Sequence, residues 1–290
     1  MPQVIGIIGG SGLYELDGLT QQHWRRVDSP FGTPSDELLF AELAGQPLVF
    51  LPRHGRGHAL SPSAINYRAN IDALKRAGVS QLIALSAVGS LREDLRPGMF
   101  VLVDQFIDRT FAREKSFFGK GCVAHVSLAE PVCARLGAHL AGAAQTAGIE
   151  LVRGGTYLAM EGPQFSTLAE SKLYRSWGCD VIGMTNMPEA KLAREAELCY
   201  ASVAMVTDYD CWHPGHAAVS VTQIVKVLRD NAAQARSLVQ KLVPVLAQDH
   251  AQDCACQRAL EHALLTDPAA RDPVLLEKLD AVAARVLGAK

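Results

Sequence analysis

The 290-residue sequence is poor in every feature that would place it on a membrane or a nucleic acid. No apolar run approaches the roughly 20 residues that span a bilayer. The 28 basic and 30 acidic side chains nearly cancel, leaving a net charge of −2, so neither nucleic acid nor an anionic membrane is an expected partner. The opening residues, Met1-Pro2-Gln3-Val4-Ile5, lack the basic region of a signal peptide, and a cytoplasmic location is expected. Cysteine is present without organisation: Cys122, Cys133, Cys179, Cys199, Cys211, Cys254 and Cys256 are odd in number and contain no Cys-x-x-Cys, so no metal is expected. Cys254-Ala255-Cys256 is open to two readings, buried thiols acting as small hydrophobes or a strained disulfide or redox pair. Familiar catalytic signatures are missing too. There is no Gly-x-Ser-x-Gly elbow and no P-loop. Gly10-Ser11-Gly12-Leu13-Tyr14-Glu15 carries glutamate where a dinucleotide-binding turn needs its third glycine.

What is present describes an α/β protein. The chain is 49% hydrophobic and 20% charged, which suits a globular protein with a sizeable core. Residues 4–8, 81–85, 100–103 and 199–205 are short apolar runs that read as buried strands. Residues 23–52 read as a hairpin or meander. Helical spacing covers 63–77, 130–147, 167–177, 189–197 and 220–243, with Pro188 opening the fourth of these. Residues 111–129 are loop-like. No repeat, low-complexity tract or composition break divides the chain. One domain over 1–290 is expected, ending in short helices from about residue 248.

The chemistry collects at strand ends, where open α/β sheets bind their ligands. Gly9-Gly10-Ser11-Gly12 follows the first strand, and its glycines allow N–H groups close to an anion. A plain strand-ending turn is the alternative. Arg53-His54-Gly55-Arg56-Gly57-His58 follows another strand, and an arginine fork matches two phosphate oxygens. Ser86-Ala87-Val88-Gly89-Ser90 reads as a third small, hydroxyl-bearing turn. Val206-Thr207-Asp208-Tyr209-Asp210 then presents two carboxylates two residues apart. If the backbone stays extended they point to one side; alternatively the stretch is a polar loop capping the next helix. Together these suggest a substrate with an anionic end and a basic heterocycle.

Seven stretches in order resemble the S-methyl-5′-thioadenosine phosphorylases of the trimeric purine nucleoside phosphorylase family. They are Gly9-Gly10-Ser11-Gly12-Leu13, Arg53-His54-Gly55-Arg56, Ile65-Asn66-Tyr67-Arg68-Ala69-Asn70, Gly89-Ser90-Leu91-Arg92-Glu93, Asp104-Gln105-Phe106-Ile107-Asp108-Arg109-Thr110, Glu161-Gly162-Pro163 and Asp208-Tyr209-Asp210-Cys211-Trp212. The resemblance runs from about Val4 to Val243. It implies a single α/β domain with a central mixed β-sheet flanked by helices (the nucleoside phosphorylase fold), a homotrimer, and no cofactor, inorganic phosphate being a co-substrate. The implied reaction is phosphorolysis of S-methyl-5′-thioadenosine to adenine and 5-methylthioribose 1-phosphate, in purine and methionine salvage. By motif, Ser11, Arg53, His54, Ser86, Ala87 (through its N–H) and Thr185 would hold phosphate. Met184 would pack under the ribose, with Phe165 and Ser166 at the base. Val221, Ile224 and Val225 would line the methylthio pocket, and His125 would reach it from a neighbouring subunit. Asp208 would be the general acid toward purine N7, and Asp210 would orient the base, its neighbouring charge helping Asp208 keep a proton.

The resemblance has departures. Ser11 and Ser86 stand for threonines and keep the hydroxyl; Gln164 and Asn186 replace other side chains and bear on base preference. Three other readings compete: an S-methyl-5′-thioinosine or broader purine nucleoside phosphorylase, a water-using nucleosidase, and a catalytically silent nucleoside binder. Asp208 argues against the first, since a carboxylate accepts from a 6-amino group and repels a 6-oxo group. Arg53 and the hydroxyl-bearing turns argue against the second. The intact acid pair and phosphate cluster argue against the third.

Overall fold

A computed structural model of the chain describes residues 3–10, 12–215, 221–249 and 254–288, without the side chains of 221–225. Its centre is one eleven-stranded mixed sheet. The strands are β1 (Val4–Gly9), β2 (Leu19–Arg25), β3 (Leu38–Leu43), β4 (Gln46–Pro52), β5 (Val79–Ser90), β6 (Phe100–Val103), β7 (Gln105–Arg109), β8 (Leu151–Arg153), β9 (Thr156–Met160), β10 (Val181–Gly183) and β11 (Cys199–Asp208). The helices are α1 (Tyr67–Arg76), α2 (Ala134–Thr146), α3 (Leu168–Ser176), α4 (Asn186–Glu195), α5 (Val221–Ala247), α6 (Pro273–Lys278) and α7 (Ala284–Leu287). The expected α/β class is what the structure has.

The central strands are apolar on both faces because both are covered. Alternate residues of β5 and β11 part company. Leu82, Ala84, Tyr200, Ala204 and Val206 pack with α1 and α4, through residues such as Ile71, Leu74, Ala190 and Leu192. Ile83, Leu85, Ala201, Val203 and Met205 pack with α2 and α5, through Leu136, Leu140, Leu238 and Leu242. Caps fix the helix starts. Asn66 Oδ1 accepts from Ala69 N–H, so α1 opens at Tyr67 rather than at 63. Thr167 and Glu170 form a reciprocal capping box on α3.

Strand β5 decides the sheet's layout. Its first half pairs in parallel with β1, and its end pairs antiparallel with β10, where Ile182 faces Gly89 and Val181 faces Ser90. Along the opposite edge β11 pairs with β5 from Cys199 beside Gln81 to Asp208 beside Gly89. The stretch 86–90, read as a turn from its small residues, is therefore strand, because pairing on both edges outweighs weak local propensity. Residues 105–109 form β7 at the edge of the sheet, paired in parallel with β9 from Gln105–Thr156 to Arg109–Met160.

One buried carboxyl ties the long loop after β7 to the helical layer. Glu195, at the end of α4, accepts from Phe117 N–H and from Ser116 Oγ, both at 2.7 Å. Burial pushes its carboxyl up from the usual 4.5 to about 7, against those two hydrogen bonds. Below about pH 4.5 the group is protonated in both states. As pH rises from there to about 7 the unfolded chain ionises first, so the folded state loses stability, by roughly 3 kcal/mol in all. The melting temperature should therefore fall across this window, and Glu195→Gln should flatten that fall. An unchanged slope in the variant would show that Glu195 is not the group responsible.

Candidate active site

Three strands bring the chemistry together at Gly89. Asp208 ends β11 on one side of it and Ile182 of β10 lies on the other. A Cβ on Gly89 would lie 3.0 Å from Asp208 Oδ1 and 3.4 Å from Asp210 Cβ, so the absence of a side chain lets both acids settle over the strand. The backbone does not stay extended between them. Asp210 has φ +53, and its N–H donates to Asp208 Oδ1 at 2.8 Å, a tight Asx-type turn. The acids meet because the chain turns, rather than because alternate strand residues share a face.

Their electrostatics differ. Asp208 Oδ1 accepts from Asp210 N–H, and Oδ2 accepts from Thr207 Oγ1 at 2.7 Å. Burial still raises its carboxyl above the usual range, against those two bonds. Asp210 is also raised, by burial first and by the Asp208 charge to a lesser degree. Desolvation, not the neighbouring carboxylate, is thus what lifts Asp208, a correction to the expected cause. Asp210 Oδ2 is buried and has no hydrogen-bond partner among the described residues. Trp212 fastens the turn, its Nε1–H donating to Ser90 O at 2.8 Å, with Arg175 stacked 3.4 Å from its ring centre.

Three residues back along β5 lies a hydroxyl cluster. Ser86 Oγ is 3.2 Å from Thr185 Oγ1 and 3.3 Å from Tyr157 Oη, all buried. Tyr157 reaches in because Gly183 has no side chain; a Cβ there would sit 2.0 Å from its hydroxyl. Thr185 immediately precedes α4, but the helix is broken at Met187 (φ −120, ψ 132) ahead of Pro188, so its regular turns begin beyond Thr185 and its immediate neighbours. Ala87 beside it is exposed.

Arg53 is placed differently from the free fork that its motif suggests. It is fully buried and bidentate to Glu189, with Nε–Oε2 at 2.8 Å and Nη2–Oε1 at 3.1 Å. Its remaining bonds go to Leu85 O and Ile8 O. Burial alone would weaken the guanidinium's charge, but Glu189 holds it charged. His54 sets its Nδ1 2.9 Å from Leu60 O and stacks on His58. A carbonyl only accepts, so Nδ1 carries the hydrogen. Burial, helped by the Arg53 charge, lowers His54 to about 4, leaving it neutral near pH 7 with Nε2 as an acceptor.

Met184 lies over Gly162, whose φ of +68 and missing Cβ admit its sulfur. Ser166 is buried and its carbonyl accepts from Cys211 Sγ, while Phe165 is exposed. His125 is exposed and lines an open cleft with Lys115, Lys191 and Glu195 that shares no residue with the acid pair. Ser11 and the side chains of Val221, Ile224 and Val225 lie outside the described residues. Gln164 is exposed, whereas Asn186 is buried and donates to Tyr200 Oη and Ser202 Oγ, away from any base-reading role in this chain's own geometry.

Two residues escaped the sequence reading. Glu189 looked like one acid of a charged helix, yet it is fully buried against Arg53 and Tyr200. Arg113 fell in a loop-like stretch, yet its Nη1 donates to Met184 O at 2.6 Å and Met187 O at 2.7 Å, and its Nη2 donates to Glu161 O at 2.7 Å. It binds together the segments carrying Met184 and Glu161-Gly162-Pro163. Its cluster with Glu114 and Lys115 was the only available signal.

The comparisons with known proteins agree with this geometry. Residues 4–244 match the family model of the phosphorylase superfamily. The chain belongs to the phosphorylase superfamily. It is 64% identical to an S-methyl-5′-thioadenosine phosphorylase of Cereibacter sphaeroides, over 99% of both chains. It is 63% identical to one of Bradyrhizobium diazoefficiens, over 98% of both. Among solved structures, a methylthioadenosine phosphorylase from an antarctic soil metagenomic library superposes with a TM-score of 0.92 at 45% identity, covering 97% of this chain and 99% of that one. A Schistosoma mansoni methylthioadenosine phosphorylase in complex with adenine gives 0.82 at 37%, over 89% and 96%. The mixed sheet and its flanking helices are thus those of this superfamily's nucleoside phosphorylases.

The Arg53–Glu189 pair gives a direct test of how this site is held. Replacing Glu189 with Gln leaves a buried guanidinium uncompensated and should cost about 3–5 kcal/mol in denaturant unfolding. A loss below about 1 kcal/mol, as for an exposed pair, would show that the guanidinium does not need Glu189.

Proposed function

We propose that the chain cleaves S-methyl-5′-thioadenosine with inorganic phosphate, giving adenine and 5-methylthioribose 1-phosphate. The observation that carries this is the distance along β5 between its two polar centres. Ser86 and Gly89, three residues apart, are separated by about 10 Å of extended strand, room for a sugar between an anion at one end and a base at the other. The relatives' names supply the matching substrate.

Phosphate sits among Ser86, Thr185, the Ala87 N–H and Ser11. Neutral His54 accepts a hydrogen bond from a protonated phosphate oxygen. Arg53 acts through the electrostatic field and by holding the end of β1 against the middle of β5, since its fork faces Glu189. Met184 packs under the ribose, with Phe165 and Ser166 at the base. Val221, Ile224 and Val225 line the methylthio pocket, and His125 reaches it from a neighbouring subunit of a homotrimer. No cofactor takes part.

As the glycosidic bond stretches, positive charge builds on the sugar. Phosphate stabilises that charge and then bonds to the anomeric carbon. Asp208, its carboxyl raised by burial, gives its proton to purine N7, and the base leaves neutral. Asp210 accepts from the 6-amino group through Oδ2, the buried oxygen without a partner among the described residues. A 6-oxo purine offers that oxygen no donor, which favours adenine over hypoxanthine.

The test is adenine release from S-methyl-5′-thioadenosine with and without phosphate. Release that requires phosphate and yields 5-methylthioribose 1-phosphate is expected. Release of free methylthioribose without phosphate would make the protein a hydrolase.

A further inference from the structure

The four cysteines that the sequence leaves scattered meet at the far end of β11 from Asp208. Cys199 opens that strand, Cys133 caps α2, Cys254 immediately precedes the short 3₁₀ turn Ala255–Arg258 and Cys256 lies on it. Their four sulfurs all lie within 4.8 Å of one another. Cys133, Cys199 and Cys256 are buried and Cys254 is half-buried. We infer that these four side chains form a tetrathiolate site for a single soft divalent cation, zinc being the expected ion.

The geometry fits such an ion. A zinc–sulfur bond of about 2.3 Å in a tetrahedron sets the sulfurs about 3.8 Å apart. Cys133 and Cys254 Sγ already stand at 3.6 Å, and the widest pair needs to close by no more than about 1 Å. Two disulfides would need larger movements, since bonded sulfurs lie about 2.05 Å apart. The surroundings suit thiolates. Leu136 N–H donates to Cys133 Sγ at 3.5 Å, and Arg135 Nη2 donates to Cys199 Sγ at 3.7 Å. Four thiolates around one divalent cation carry a charge of −2, and Arg135 offsets part of it. Binding releases the thiol protons and changes no oxidation state. Cys-x-Cys is tighter than the usual zinc hairpin spacing and the other two ligands are far off in sequence, so no motif scan would find the set.

Such an ion would pin the segment after α5 to the start of β11 and α2. The test uses the full chain, reduced and free of oxygen, titrated with Co²⁺. The expected result is one ion per chain, with the sulfur-to-cobalt charge-transfer and d–d bands of a tetrahedral tetrathiolate, displaced by one equivalent of Zn²⁺. Cys256→Ser and Cys133→Ser should lose that spectrum, and Cys179→Ser, outside the cluster, should keep it. The wild-type spectrum needs no variant to fold. Its absence in fully reduced protein would overturn the site. So would its persistence in both Cys256→Ser and Cys133→Ser, or protein purified without reductant whose four thiols are all disulfide-bonded and which binds no Co²⁺ after reduction.

Discussion

The structure depends on the close approach of three strands at Gly89. Strand β5 must satisfy β1, then β10, on one edge while β11 follows it on the other. At their shared end a Cβ on Gly89 would crowd Asp208, Ile182 and Asp210 at 3.0–3.4 Å, so its absence is what lets them close over the strand. That contact sets the acids at a fixed distance from the hydroxyls of Ser86 and Thr185. It also takes both acids largely out of water, and that desolvation raises their carboxyls above the usual range.

A second layer of buried charge holds this arrangement. Arg53 and Glu189 join the end of β1 and the middle of β5 to α4, and Arg113 joins the Met184 segment to the Glu161 turn. Each guanidinium meets carbonyls as well as a carboxylate, the condition under which a buried charge is tolerated. The site is therefore polar beneath as well as within, and its substrate-facing groups rest on side chains that need not touch substrate.

Much of this was legible in the sequence, for physical reasons. Apolar runs such as 199–205 announce strands covered on both faces, and strand-ending glycines and hydroxyls mark where a ligand is approached. Seven ordered motifs make the superfamily readable. Long-range pairing was not readable: nothing local distinguishes 86–90 or 105–109 from turns, because their strand character comes from distant partners. Charge state was not readable either. His54 lies in a basic-looking cluster but is neutral through burial, and Arg53, the obvious anion fork, faces Glu189 across 136 residues of sequence. The four gathered thiols likewise depend on contacts between distant segments.

The central claim is that Asp208 delivers a proton to the leaving purine from a site where burial raises its carboxyl. Single-turnover cleavage of S-methyl-5′-thioadenosine by Asp208→Asn, measured across pH beside wild type and with phosphate affinity determined separately, tests it directly. The account predicts a fall of about 10²–10⁴-fold in the chemical step, loss of the alkaline limb of the pH profile and little change in phosphate binding. Turnover close to wild type with the alkaline limb intact would contradict it and move the acid role to another group, with Asp210 the first candidate.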